Sequence, residues 1–178
     1  AGRRARGRAR SCAVTIRSAT FEPRYGLKLY VPYAGNPPSV NDAMRSHGVE
    51  NWSTLKGWKE NAVAAARQAR AELHLALPLP PSVIRVACPM PTDVRRDPHN
   101  YTGTLCKSII DGLVVTRFWP DDTAEYVLTV DPRLVVVPEV KTPAGRARAY
   151  ARVQIVPIAA LRDALAPHPQ LGELFDQG

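Results

Sequence analysis

An apolar run, SVIRVACP at residues 82–89, passes within a few residues into RRDPHN at 95–100 and then into TLCKSIIDGLVV at 104–115. The first stretch predicts a buried strand, and the third, with apolar residues at three- and four-residue steps, predicts a helix from about Pro98 to Val115. A wholly polar joint therefore stands between a buried strand and a helix. In α/β sheets the crevice beyond the carboxyl ends of the strands is where ligands bind, so the joint is the first place to look for chemistry.

Local structure accounts for part of that polarity. Asp97 suits a helix N-cap and Pro98 the first helical position. Asn100, Lys107 and Asp111 are spaced by seven and four, which puts them on one helix face. Cys106, Ile109, Ile110 and Leu113 fall on the other face and predict the core side. Asp121 and Asp122 follow in the turn RFWPDDT. They come back to the start of the helix if the next strand runs beside the one that leads to Asp97. Carboxylates brought together in this way are costly unless a cation neutralises them. A hard divalent ion does so, and Mg²⁺ typically takes few carboxylates and completes its shell with water and substrate phosphate. Lys107 is suited to offset charge on a phosphate. Each group also has an ordinary explanation: a cap, a solvated turn, or an exposed i,i+4 pair worth roughly 0.2–0.5 kcal/mol. What favours chemistry is their joint appearance around one strand–helix–turn–strand unit.

The remaining elements frame that unit. LKLYVPY at 27–33 predicts a strand, and AGNPPSVN breaks it. Leu55, Trp58, Ala62, Ala66, Ala69 and Leu73 form one apolar stripe of a helix from about Ser53 to Leu75, with Ser53 or Thr54 as cap. Lys56 and Lys59, near its start, are candidate ligand contacts, and Arg67 and Arg70 are expected on a solvated face. EYVLTVDPRLVVVPEV predicts a strand interrupted near Pro132. TPAGRA is expected to be a hairpin turn that pairs RAYARVQIVPI with the strand before it. The fold class is thus α/β: a mixed β-sheet with two main helices packed on one face, in a single domain. Residues 1–25 are expected to be a basic, disordered or loosely attached arm, 26–160 the folded domain, and 161–178 a short helix and tail.

Charge and cysteines exclude several classes. Of the net charge of +8, residues 1–25 carry +6, from seven arginines and Glu22, leaving +2 for the rest. An Arg-rich arm is an electrostatic grip for phosphates. Cys12, Cys88 and Cys106 form no CxxC pair, which argues against a zinc site or a disulfide framework and for thiols packed as small hydrophobes. No apolar run is long enough to span a bilayer, and the basic start lacks an apolar stretch of signal-peptide length. A cytoplasmic protein is expected. Trp52, Trp58 and Trp119 are expected as core or interface fillers, and His47, His74 and His168 as ordinary residues.

The segment RRDPHN…K…DGL…WPDD resembles the RusA family of Holliday junction resolvases, endonucleases common in phages and prophages. That family's pattern runs arginine, acid, any residue, acid, asparagine, then a lysine, an aspartate followed by leucine, and a paired aspartate in a turn. Asp97 matches the first acid, Asn100 the asparagine, Lys107 the lysine, Asp111 the helical aspartate, and Asp121 with Asp122 the pair. His99 stands where the second acid would be, and the gap from Asn100 to Lys107 is about a helical turn longer than in the familiar form. PPSVN at 37–41 and WK at 58–59 also suit the family, and the likeness spans about residues 27–157. It implies a homodimeric, Mg²⁺- or Mn²⁺-dependent endodeoxyribonuclease that resolves four-way DNA junctions by symmetric hydrolysis. The roles implied are Asp97, Lys107 and Asp122 as catalytic residues and Asp97, His99, Asp121 and Asp122 as metal ligands. Arg95, Arg96, Asn100, Lys56 and Lys59 would be DNA contacts. The alternative is a junction-binding protein in which His99 has weakened catalysis.

Overall fold

Strand β3 (Ser82–Met90) carries the expected buried pattern, with Ile84, Val86 and Cys88 facing the core and Arg85 facing out. It belongs to a computed structural model that describes residues 19–22, 26–45, 49–93 and 96–165. Around it a six-stranded mixed sheet is built from β1 (Ala19–Glu22), β2 (Gly26–Pro32), β4 (Val127–Thr129), β5 (Arg133–Val136) and β6 (Tyr150–Pro157). The order is β1-β2-β6-β3, with β4 and β5 sharing the edge beside β3. β1, β2, β6 and β3 are mutually antiparallel, whereas β4 and β5 run parallel to β3.

One face of this sheet holds the core. Leu27, Leu29 and Val31 on β2, Ala151, Val153 and Ile155 on β6, and Ile84 and Val86 on β3 alternate inward, as period-2 strands require. Helix α2 (Val49–Leu73) lies over them with Trp58, Ala62, Ala65, Ala66 and Ala69 buried. The Trp58 indole Nε1 donates to the Gly35 carbonyl at 3.2 Å, which satisfies its one polar atom. α2 begins at Val49, one turn before the expected Ser53 or Thr54 cap. A short helix, α1 (Val40–Arg45), precedes it. Ser39 Oγ accepts from the Asp42 backbone N–H while Asp42 Oδ2 accepts from the Ser39 N–H, a reciprocal capping box.

The helix expected from Pro98 to Val115 is three segments in series. A 3₁₀ turn covers Pro98–Tyr101, a π turn covers Thr102–Cys106, and α3 covers Lys107–Val115. The apolar spacing is the same in all three, so periodicity does not reveal the change of winding. The stretch between Asn100 and Lys107 is wound as 3₁₀ and π segments; π turns recur at functional sites. The expected core residues Cys106, Ile109, Ile110 and Leu113 are all buried. Gly112 lets α3 approach α2: a Cβ there would lie 2.6 Å from the Lys59 carbonyl oxygen and 2.8 Å from Ala62 Cβ.

Other expectations are corrected. The arm expected over residues 1–25 includes a paired edge strand, because β1 joins β2 in the register Ala19↔Leu29 to Glu22↔Gly26; residues 1–18, with Cys12 and most of the arginines, lie outside the described residues. TPAGRA is not a hairpin. A 3₁₀ turn (Pro138–Lys141) and helix α4 (Pro143–Arg146), capped by Thr142, carry the chain from β5 to β6. β6 pairs with β2 and β3, not with β5, because so long a connection crosses the sheet end rather than closing a tight turn. α5 (Ile158–Leu165) starts earlier than the expected 161. Trp58 and Trp119 are core residues, but Trp52 is 72% exposed. No helix among the described residues is long and apolar enough to cross a membrane.

Candidate functional site

The polar joint opens with Asp97, whose Oδ1 accepts from the His99 backbone N–H at 3.1 Å and caps the 3₁₀ turn with Pro98 in the first position. Capping leaves the His99 ring pointing to solvent. Its Nδ1 lies 3.1 Å from Asp131 Oδ1, and Thr102 Oγ1 donates to that same oxygen at 2.9 Å. These hydrogen bonds, Thr102 first and His99 second, hold the Asp131 carboxyl below the usual carboxylate range. An ionised carboxylate only accepts, so the His99 Nδ1–H donates to it and Nε2 is the ring nitrogen left facing outward.

Asp131 escaped the sequence reading, and the sheet explains where it comes from. β3 pairs with β4 up to Ile84↔Thr129 and with β5 from Ala87↔Arg133. Between these points Arg85 and Val86 on β3 face Val130, Asp131 and Pro132 on the neighbouring strand, one residue more. This is a β-bulge, a device that re-aims a side chain beside a site. Pro132, which has no N–H to donate, makes the interruption. The signal was present in the sequence as an Asp-Pro inside a strand parallel to β3, but it reads there only as a break.

A second cluster lies further along the same helical rod. Lys107 Nζ donates to Asp111 Oδ1 at 2.8 Å and bonds to Asp122 Oδ2. Lys59 Nζ, from α2, stands 3.9 Å from Asp111 Oδ2. Two carboxylates about one-third exposed thus share one ammonium and lie near a second. Asp122 is carried back to the helix, as expected, by a following strand that runs parallel to β3, but it meets Lys107 and Asp111 rather than Asp97. The Lys107 backbone N–H donates to the Thr102 carbonyl across the π turn, so Lys107 stands one turn beyond Thr102, the residue that donates to Asp131.

The other expected residues fall as follows. Asp121 is exposed, with Oδ1 accepting from the Asp122 N–H at 2.8 Å, which orients its neighbour. Asn100 sits in the 3₁₀ turn, half-buried, its backbone N–H donating to the Asp97 carbonyl. Arg96 is half-buried and donates to the Thr92 carbonyl at 2.9 Å and to Thr92 Oγ1 at 3.0 Å, bracing the loop after β3. Arg95 lies outside the described residues. Lys56 is exposed and pairs with Glu60 at 3.8 Å.

Among the described residues no three His, Cys, Asp or Glu side chains converge to hold an ion, and no hydrogen bond or ion pair joins Asp97 to Asp121 or Asp122. The expected cation site of Asp97, His99, Asp121 and Asp122 is therefore not assembled: Asp111 and Asp122 meet about Lys107, whereas Asp97 and Asp131 bond different parts of His99, its backbone N–H and its ring. Such a set does not suit a closed protein cage of the zinc type. The sequence matches no protein-family model and no curated protein.

Proposed function

We propose that the protein is a divalent-metal-dependent endodeoxyribonuclease acting on branched DNA, four-way junctions above all, as a homodimer in the cytoplasm of a bacterial or phage-infected cell. The observation that carries this reading is the pair of polar clusters on one helical rod, Asp97–His99–Asp131 and Lys107–Asp111–Asp122, at the carboxyl end of a parallel strand. Asp97 would hold Mg²⁺ or Mn²⁺ together with water and a substrate phosphate, with His99 Nε2 as a further ligand. Bound there, the ion would lower the pKa of a water and offset charge on the phosphate. Asp131 would act as a positioning residue, fixing the His99 tautomer as carboxylates behind metal-bound or basic histidines do. Lys107, already balancing two carboxylates, would turn toward a phosphate oxygen entering between them. Asp122 and Asp111 would then hold the ammonium in place.

A second reading is favoured by a specific feature. Lys107 fills the space between Asp111 and Asp122 with a resident positive charge, and the carboxylates meet only in pairs. A junction-binding protein with weak or no catalysis fits that as well. Cleavage of a synthetic four-way junction, against linear duplex and with or without Mg²⁺ or Mn²⁺, separates the two. The nuclease requires ion-dependent cleavage abolished in Asp97→Asn; tight binding without cleavage under any divalent ion leaves only the binding protein.

A further inference from the structure

We propose that the groove between α2 and the C-terminal end of α3 is a second DNA contact, a track for the phosphate backbone of one strand of an arm leading away from the site. The proposal rests on the reading of the protein as DNA-binding. Lys56, Lys59, Val63, Arg67 and Arg70 recur at steps of three and four, so they share one face of α2 and extend about 20 Å along it. Two adjoining hollows meet at Val115. One, of about 500 Å³, is lined by Lys56, Lys59, Glu60, Val63 and Arg67. The other, of about 590 Å³, is lined by Arg70, Arg117, Pro78 and Trp119.

Charge complementarity identifies the occupant. Five cations face one acid, Glu60, which is already paired with Lys56 at 3.8 Å. Among the described residues Arg67, Arg70 and Arg117 enter no ion pair. Lys59 reaches Asp111 at 3.9 Å, so the track begins at the candidate site. Its length corresponds to about six phosphates of one strand.

The far end carries an independent mark. Thr116 caps α3, the Arg117 N–H donates to the Val114 carbonyl at 2.9 Å and the Phe118 N–H to the Leu113 carbonyl at 3.0 Å. That is a Schellman closure, with Arg117 at the left-handed position, φ +64°. Glycine is customary there because a Cβ is strained in that conformation. Arginine accepts the strain and sets a guanidinium at the mouth of the groove, as strained residues at binding sites do.

The test uses the full chain and fluorescein-labelled linear duplex and four-way junction DNA, read by anisotropy in EDTA over a salt titration. The combined variant Arg67→Ala, Arg70→Ala, Arg117→Gly should bind both DNAs at least tenfold more weakly near about 50 mM salt. The slope of log affinity against log salt should shrink by about two to three, the expectation for three lost phosphate contacts. Arg162→Ala, on α5, should bind as the parent does. Arg117→Gly alone should lose affinity while its Tm equals or exceeds the parent's, which separates lost contact from lost folding. Affinity and salt slope within twofold of the parent in the combined variant would overturn the proposal. Binding read without a divalent ion is separate from catalysis: absence of cleavage by the parent in a parallel assay with Mg²⁺ or Mn²⁺ would sink the nuclease reading and leave the groove standing, whereas cleavage there with unchanged binding in the variant would do the reverse.

Discussion

His99 Nδ1 and Asp131 Oδ1 lie 3.1 Å apart, although 32 residues and a β-bulge separate them in the chain. The contact fixes which ring nitrogen faces solvent. Asp131→Asn is therefore expected to lower junction cleavage about 10- to 100-fold, the usual cost of removing a partner behind a functional histidine. Fold stability should be nearly unchanged, since the pair is exposed. His99→Ala should cost a similar factor, and the double variant little more than either single one. A cleavage-rate cycle in which the two losses multiply would show that the residues act separately.

Ligand chemistry predicts a metal effect at the same position. His99→Asp replaces a softer neutral nitrogen with a hard anionic oxygen. Activity with Mg²⁺ should rise relative to activity with Mn²⁺. Rates measured side by side with the two ions check this, and an unchanged ratio would remove His99 from the ligand set.

Lys107 is the common partner of Asp111 and Asp122. Lys107→Ala leaves two partly exposed carboxylates facing each other and should cost about 1 kcal/mol by urea denaturation, since half-exposed ion pairs are screened. Adding Asp122→Asn to that variant should restore most of the loss. If the second change instead deepens it, repulsion between the acids is not the cause.

Much of this site was legible because it is local. Asp97, Pro98, Lys107 and Asp111 declare themselves by capping chemistry and helical spacing, and β3 by its apolar alternation. The expectation that a parallel return strand would bring Asp121 and Asp122 back to Asp97 was also a local argument, from one βαβ unit; the strand is parallel, but Asp122 meets Lys107 and Asp111 instead. What stayed hidden depends on register and winding. Asp131 is aimed by a bulge whose one extra residue only the pairing with β3 reveals. The 3₁₀ and π turns share the apolar spacing of an α-helix, so the change of winding leaves no mark in the pattern. β6 lies beside β3 and β2 through non-local pairing, and a proline- and glycine-bearing connection looks like a hairpin until its partner is known.

Gly112 should prove the least replaceable residue of α3. Its missing side chain is where the Lys59 carbonyl and Ala62 sit against the helix. Gly112→Ala has favourable helix propensity, yet must push α2 and α3 apart, and overpacking of this kind costs about 1–3 kcal/mol. The urea midpoint should fall accordingly. A neutral or stabilising result would mean the helices can separate freely, and with them Lys59 and Asp111.

Cys88 and Cys106 are wholly buried beneath the sheet and α3. Burial raises the Cys106 thiol to about 12, with the Asp131 charge adding to it, and raises the Cys88 thiol further. The native state therefore keeps both protons at a pH where unfolded thiols, with ordinary values near about 8.5, have begun to ionise. A group whose folded pKa is raised stabilises below its unfolded pKa and loses that contribution as pH rises toward the folded one. The urea midpoint should thus decline from about pH 8.5 upward. Tyr33, raised by burial to about 12, adds to the decline only above the ordinary tyrosine range near about 10. In the double variant Cys88→Ala, Cys106→Ala the curve should start lower and stay flatter between about pH 8.5 and 10. Thiolate is also the reactive form, so of the three cysteines no more than one should react with a thiol reagent in the native protein at pH near 8, and all three after denaturation. Rapid native reaction of a second thiol would place Cys88 or Cys106 outside the core, and the core registry of α3 with it.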